Sequence, residues 1–321
     1  MGLSKPPLEP CSKTRNCRPA AAIPTIDLSL RDSRDLLVRA CEELGFFKVV
    51  NHGVPAELIS RLESQARRFF ALPLPDKHKA AAPHPYGYGN RAIGSNGDTG
   101  WVEYLLMNPS SRHGAPPEEN FRRCVEEYAA AVRGVACRVA ELMAEGLGVE
   151  DRKAFSRLLM DEGSDSWVRV NHYPPFPGAV EERDRVVGFG EHTDPQILSV
   201  LRSNNVPGLE IRLRDGRWAA VPHDEGAFFI NVGDSLQVLT NGRFRSVRHR
   251  VWANGVEPRV SMIYFGGPPL SEKIAPLPCL IQGEEESLYR EFTWFEYKRL
   301  VFSLHLADNR LLSFQKIAAG S

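Results

Sequence analysis

From about Ser166 the sequence changes its period. Short runs with alternating apolar residues follow one another at Val168–Tyr173, Val186–Gly190, Leu198–Arg202, Leu209–Leu213, Trp218–Val221, Phe228–Val232, Leu236–Leu239, Arg248–Trp252 and Ser261–Phe265. Alternation of this kind sends successive side chains to opposite faces of a strand. The dipeptides Asp215–Gly216 and Asn241–Gly242 are hairpin turns between such runs. Many short strands at close spacing predict a sandwich or barrel such as a jelly roll, because a chain of short strands removes its open edges by stacking or closing.

Before this region the pattern is helical. "IPTIDLS" (Ile23–Ser29) reads as a first strand, and Leu36, Leu37, Ala40 and Leu44 mark a helix ended by Gly45 before the strand Phe46–Val50. Further helices are expected from Pro55 to Ala71, around Pro75–Ala81, from Glu118 to Gly148 and from Asp151 to Met160, with Pro83–Gly100 as a long loop. The longest carries Val125, Tyr128, Val132, Val135, Val139, Leu142 and Met143 on one stripe. The expected organisation is a loose arm (1–22), a helical N-terminal region (23–160), a jelly-roll core (166–270) and a C-terminal segment (271–321) closed by a helix at Thr293–Ser303. The fold class is mixed α and β, a double-stranded β-helix flanked by helices and more one integrated unit than two domains.

Lys+Arg and Asp+Glu both number 40, so the formal net charge is zero. That argues against nucleic acid or an anionic membrane as the main partner. The dense basic run "RFRSVRHR" (Arg243–Arg250) reads as a strand with its arginines outward. No stretch of about 18 apolar residues occurs, and the first residues lack the apolar region of a secretory signal. The six cysteines form no CxxC and read as free thiols, so a cytoplasmic location is expected.

The stretch Gly188–Gln196, "GFGEHTDPQ", places His192 and Asp194 two positions apart, on one face of an extended segment. A second imidazole would complete two histidines and one carboxylate with open positions, a set suited to non-haem Fe(II) and oxygen chemistry. His249, 55 positions on (249 − 194 = 55), is the best candidate because it sits in a β-patterned run. Further on, "EPRVSMIYF" puts Arg259 and Ser261 at i, i+2. A buried arginine is costly unless an anion meets it, and a guanidinium fork with a hydroxyl suits a carboxylate. Tyr173 in "NHYPPFP" is a third candidate donor. A hydrolytic zinc site would use the same ligands but leaves Arg259 and Ser261 without a task.

HxD, a distant His and RxS on a string of short strands resemble the plant-type Fe(II)/2-oxoglutarate-dependent dioxygenases, over nearly the whole chain. Within them, "YGYGNRAIGSNGDTGWVEYLLMNP", "SDSWVRVNHYPPFP" and "SMIYFGGPPLSEKIAPLP" look like gibberellin 2-oxidases. The departures are Phe176, where the family usually has cysteine, and Trp167, in place of a smaller residue. The resemblance implies that His192, Asp194 and His249 hold Fe(II), and that Arg259, Ser261 and Tyr173 bind 2-oxoglutarate. It implies O2 as co-reactant, ascorbate as a stimulant, and 2β-hydroxylation of a gibberellin that inactivates the hormone. It leaves open a flavonoid or twenty-carbon gibberellin precursor as substrate, a non-catalytic hormone-binding jelly roll, and a homo-oligomer. For a rigid apolar substrate with a carboxylate, Trp101, Tyr104, Phe244 and Tyr297 are candidate walls, and Arg91 and Lys298 candidate anchors.

Overall fold

The computed structural model describes residues 20–30, 33–80, 86–93, 96–111, 116, 118–176, 185–281 and 286–316. Cys11, Cys17, His84 and His113 lie outside the described residues.

The N-terminal region contributes β1 (Thr25–Asp27), α1 (Arg34–Glu43), β2 (Phe46–Val50), α2 (Ala56–Phe70), α3 (Leu74–His78), β3 (Gly87–Ala92), β4 (Thr99–Met107), α4 (Glu119–Gly146) and α5 (Ser156–Met160). Then come β5 (Trp167–Tyr173), β6 (Arg185–His192), β7 (Leu198–Ser203), β8 (Leu209–Arg212), β9 (Trp218–Ala220) and β10 (Phe228–Val232). The chain continues through α6 (Asp234–Leu239), β11 (His249–Asn254), β12 (Arg259–Gly266), β13 (Lys273–Ile274), β14 (Phe292–Thr293) and α7 (Trp294–Ser303).

An eight-stranded sheet runs β1-β2-β10-β7-β12-β5-β4-β3, and a four-stranded sheet β6-β11-β8-β9 lies against it. Strand alternation divides the major sheet cleanly. Val260, Met262 and Tyr264 of β12, with Val168 and Val170 of β5, join the core shared with the helices, where α4 buries Val125, Tyr128, Val132, Val135, Val139 and Met143. Each such fully buried side chain contributes roughly 1.5–3 kcal/mol. The alternate residues, including Tyr173, Phe229, Leu201 and Ile263, face the second core between the sheets with Phe189 and Val251 of the minor sheet.

Several expectations change. Pro83–Gly100 is not a loop throughout, because Gly87–Ala92 and the start of β4 pair as strands on the sheet edge. Glycine and asparagine weaken the strand signal of this run, and the pairing comes from the neighbouring strand. Leu236–Leu239 belongs to helix α6, not to a strand. Leu236 and Leu239, three apart, share a helix face, and so short an apolar run cannot separate the two periods. Arg243–Val247 precedes β11 as a loop, with Phe244 folded into the helical core. The helix expected from Asp151 starts only at Ser156, after turns.

Gly45 makes the link between α1 and β2. Its φ is +71°, and a Cβ there would lie 1.8 Å from the Arg245 carbonyl oxygen. Left-handed backbone and close approach both require glycine. Gly45→Ala is expected to cost on the order of 3 kcal/mol, read as a lowered thermal midpoint.

Candidate active site

β6 ends on His192 and β11 begins on His249, and the antiparallel register sets the two residues opposite each other. Asp194 follows two residues on and is buried. Its Oδ1 lies 3.7 Å from His192 Nε2 and 3.6 Å from His249 Nε2. The three side chains offer ligand atoms within 4.8 Å of one another, and they form the one such cluster among the described residues.

The hydrogen bonds decide what the cluster can hold. His192 Nδ1 lies 2.8 Å from the Gly190 carbonyl oxygen and His249 Nδ1 3.2 Å from that of Val247. A carbonyl only accepts, so each Nδ1–H donates and each Nε2 presents its lone pair to Asp194 Oδ1. Burial, then the neighbouring His249, holds the His192 imidazole well below its usual pKa, which favours the neutral ring. Burial alone would raise Asp194. The two imidazoles and donors from Asn231 and Ser199 outweigh it and lower the carboxyl, keeping it ionised. With each Nδ1 turned to a main-chain carbonyl, the two Nε2 atoms and Asp194 Oδ1 converge, an arrangement that a cation fits.

Asp194 is aimed by its other oxygen. Oδ2 accepts from Ser199 Oγ at 2.7 Å and Asn231 Nδ2 at 3.0 Å, which leaves Oδ1 for the cluster. Ser199 and Asn231 are direct cross-strand partners on β7 and β10. Just behind, Gly233 admits the turn into α6, where the Asp234 N–H donates to the Asp194 carbonyl at 2.7 Å.

Arg259 is 2% exposed, and its Nε and Nη1 have no hydrogen-bond partner. It pairs in register with Tyr173 across β12 and β5, and the guanidinium lies 5.4 Å from that ring. Ser261 is the inward residue two positions on, accepting weakly from Asn171 Nδ2 at 3.4 Å. Burial pulls the Arg259 guanidinium below its ordinary pKa and pushes the Tyr173 phenol up. A buried cation with two idle donors, beside a hydroxyl and a phenol, is suited to meet an anion.

The pocket residues expected from the sequence separate. Trp101 packs on the core between the sheets, its Nε1 donating to the Pro174 carbonyl at 2.8 Å. Tyr104, paired across the strands with Asn171, lies beneath the Arg169 guanidinium at 3.8 Å. Phe244 and Tyr297 sit at 0% exposure in the helical core, where Tyr297 donates to Asp234 Oδ2 at 2.7 Å, so neither lines the space between the sheets. Lys298 is paired with Asp165 Oδ2 at 2.7 Å. Arg91 has a positive φ of 61° and stacks over Trp101 at 4.3 Å.

Arg169, Asn171, Ser199 and Asn231 were missed by sequence reasoning. The signal for the first two was the alternation of "WVRVNHY", which puts Arg169 and Asn171 on the face of Tyr173. Arg169 donates from Nε to Asn171 Oδ1 at 2.7 Å, lies 5.0 Å from the Phe189 ring, and leaves Nη2 buried without a partner.

Residues 164–268 match the 2OG-Fe(II) oxygenase superfamily, and residues 23–126 match the family described as non-haem dioxygenase in morphine synthesis N-terminal. The chain is 55% identical to gibberellin 2-beta-dioxygenase 1 of Pisum sativum over 99% of both chains. It is 53% identical to gibberellin 2-beta-dioxygenase 2 of Arabidopsis thaliana, over 92% of this chain and 89% of the relative. Among solved structures, JOX2 in complex with 2OG, Fe and JA superposes with a TM-score of 0.85 at 29% identity, covering 99% of this chain and 96% of that one. The rice dioxygenase for auxin oxidation gives 0.76 at 29% identity, over 92% and 100%. With the two family regions in order and identity to the relatives sustained from end to end, the chain belongs to the Fe(II)/2-oxoglutarate-dependent dioxygenases, among the gibberellin 2-beta-dioxygenases.

Proposed function

We propose that this dioxygenase 2β-hydroxylates gibberellins and so inactivates the hormone. The observation that carries the reading is the 55% identity over 99% of the chain to a relative named for that reaction.

When bound, Fe(II) and 2-oxoglutarate supply oxygen activation coupled to decarboxylation of the cosubstrate to succinate and carbon dioxide. His192 Nε2, Asp194 Oδ1 and His249 Nε2 would hold the metal. Arg259 grips the distal carboxylate of 2-oxoglutarate with its fork, and Ser261 and Tyr173 add a hydroxyl each. Phe189, packed 4.6 Å from the His192 ring, and Val251 keep water from the cluster on the minor-sheet side.

Arg169 is the better substrate anchor than Arg91 or Lys298, because it faces the interior with an idle donor while Lys298 already has Asp165. Tyr104 below and Phe189 beside it fix the guanidinium plane, and Asn171 takes its Nε. A substrate carboxylate on Nη2 would satisfy the orphaned donor and hold the apolar rings toward the metal. Arg169→Gln is expected to raise KM for gibberellin by about 10- to 100-fold with little change in KM for 2-oxoglutarate. A gibberellin methyl ester checks the assignment: wild type should discriminate against it, and the variant should not.

The decisive experiment adds Fe(II) and 2-oxoglutarate anaerobically, then oxygen and a bioactive gibberellin. Expected are a product heavier by one oxygen atom and equimolar succinate. Succinate without a hydroxylated product would remove gibberellin as substrate. Among the described residues no helix is long and apolar enough to cross a membrane. The free thiols Cys41, Cys124, Cys137 and Cys279 suit a reducing compartment, and we place the enzyme in the cytoplasm.

A further inference from the structure

On the opposite side of the metal-holding loop lies a cavity of about 310 Å³. Four arginines line it: Arg212 and Arg214 at the end of β8 and in its turn, and Arg245 and Arg248 from the loop before β11. Little compensates them. Glu191 Oε1 is shared, at 3.2 Å from Arg212 Nη1 and 3.0 Å from Arg248 Nη1. Arg214 donates to the main-chain carbonyls of Glu42 and Glu43, which carry no charge. Arg245 Nη1 is buried without a partner. Burial, then the fields of Arg214 and Arg212, pull the Arg245 guanidinium below its ordinary pKa.

One acid stands in the cavity wall and offsets this charge only in part, since Glu191 and Asp234 bring two carboxylates against four guanidinium groups. Asp234 is 2% exposed, and its Oδ2 already accepts from Thr193 Oγ1 at 3.0 Å and Tyr297 at 2.7 Å. Like charges gathered around a concavity, one of them with a buried idle donor, cost free energy unless an anion joins them.

We propose that this cavity binds a compact multivalent oxyanion, held by the forks of Arg212, Arg214, Arg245 and Arg248. The volume suits a small molecule, and guanidinium forks suit phosphate or carboxylate oxygens. The site is separate from the cosubstrate receptor at Arg259, which opens instead on a narrow cleft lined by Leu201, Leu209, Phe229 and His223. It touches the active site through Thr193 and through Asp234, whose N–H donates to the Asp194 carbonyl. Thr193, in the cavity wall, stands between His192 and Asp194, and its carbonyl accepts from Arg310 Nη1 at 3.1 Å.

The test is calorimetric titration of pyrophosphate, and separately of citrate, into the full-length chain without metal, since both probes would otherwise chelate it. Wild type is compared with Arg245→Gln and with Arg214→Gln, whose side chain is exposed and gives up only its bonds to the Glu42 and Glu43 carbonyls. Expected is saturable one-site binding weakened about tenfold or more in each variant. Preference for pyrophosphate assigns the natural ligand to phosphorylated compounds, and preference for citrate assigns it to polycarboxylates. Binding of neither probe at millimolar concentration overturns the proposal. Binding that Arg214→Gln leaves unchanged, with Arg245→Gln unchanged or unfolded, also overturns it.

Discussion

Asp194→Ala is expected to abolish metal binding and with it hydroxylation, a fall of at least about 1,000-fold, well beyond the 10- to 100-fold typical when a group supporting a ligand is lost. The carboxylate is the one anionic member of the cluster, and both imidazoles present lone pairs to its Oδ1. Its removal strands Ser199 Oγ and Asn231 Nδ2, which both donate to Oδ2, so the variant also loses some stability. Thermal unfolding with and without Co(II) separates the two effects. Metal at 100 times its dissociation constant should stabilise wild type by about 2.7 kcal/mol, and the variant's midpoint should not respond. A variant that still shifts with metal would remove Asp194 from the ligand set.

Arg259→Met is expected to raise KM for 2-oxoglutarate by about 30-fold or more, since a buried charge pair broken on one side costs roughly 2–5 kcal/mol. The metal-dependent shift in unfolding should survive, because the arginine touches no member of the cluster. Arg259→Lys should fall between, keeping charge but losing the fork. A second consequence runs the other way. Without cosubstrate, wild type carries the desolvated guanidinium with Nε and Nη1 idle, so the methionine variant should be no less stable than wild type. A large loss of stability in the cosubstrate-free variant would mark Arg259 as a structural residue.

Much of the candidate site was legible because its geometry is strand geometry. The two-residue spacing of Arg259 and Ser261 translates directly into a shared face of β12, while Asp194, just past the end of β6, still meets His192 from the loop. The groups that aim the ligands were not legible for a physical reason. Ser199 and Asn231 reach Asp194 through strand pairing, and the Nδ1 acceptors are main-chain carbonyls that any residue supplies. Arg169 was readable in principle, since it shares the face of Tyr173, but surface arginines look the same in a sequence. Phe244 and Tyr297 failed as pocket walls because an aromatic residue carries no mark of which side of a sheet will bury it. The β3–β4 edge was hidden by glycine and asparagine, and α6 by a run too short to show its period.

The order of the major sheet carries a consequence for how the chain can be divided. β1 and β2 border β10 at one flank, and β4 and β3 border β5 at the other, so strands from before residue 110 close both sides of the sheet that holds Arg259. A fragment beginning near residue 164 would bare two ladders of unpaired amides and carbonyls, an invitation to edge-to-edge association. Expressed together as separate polypeptides, the two halves should recover one another by strand addition. The metal cluster and the Arg259 site lie wholly in the later half, which depends on the earlier one to close its sheet, so a split pair would make oxygenation depend on whatever brings the fragments into contact.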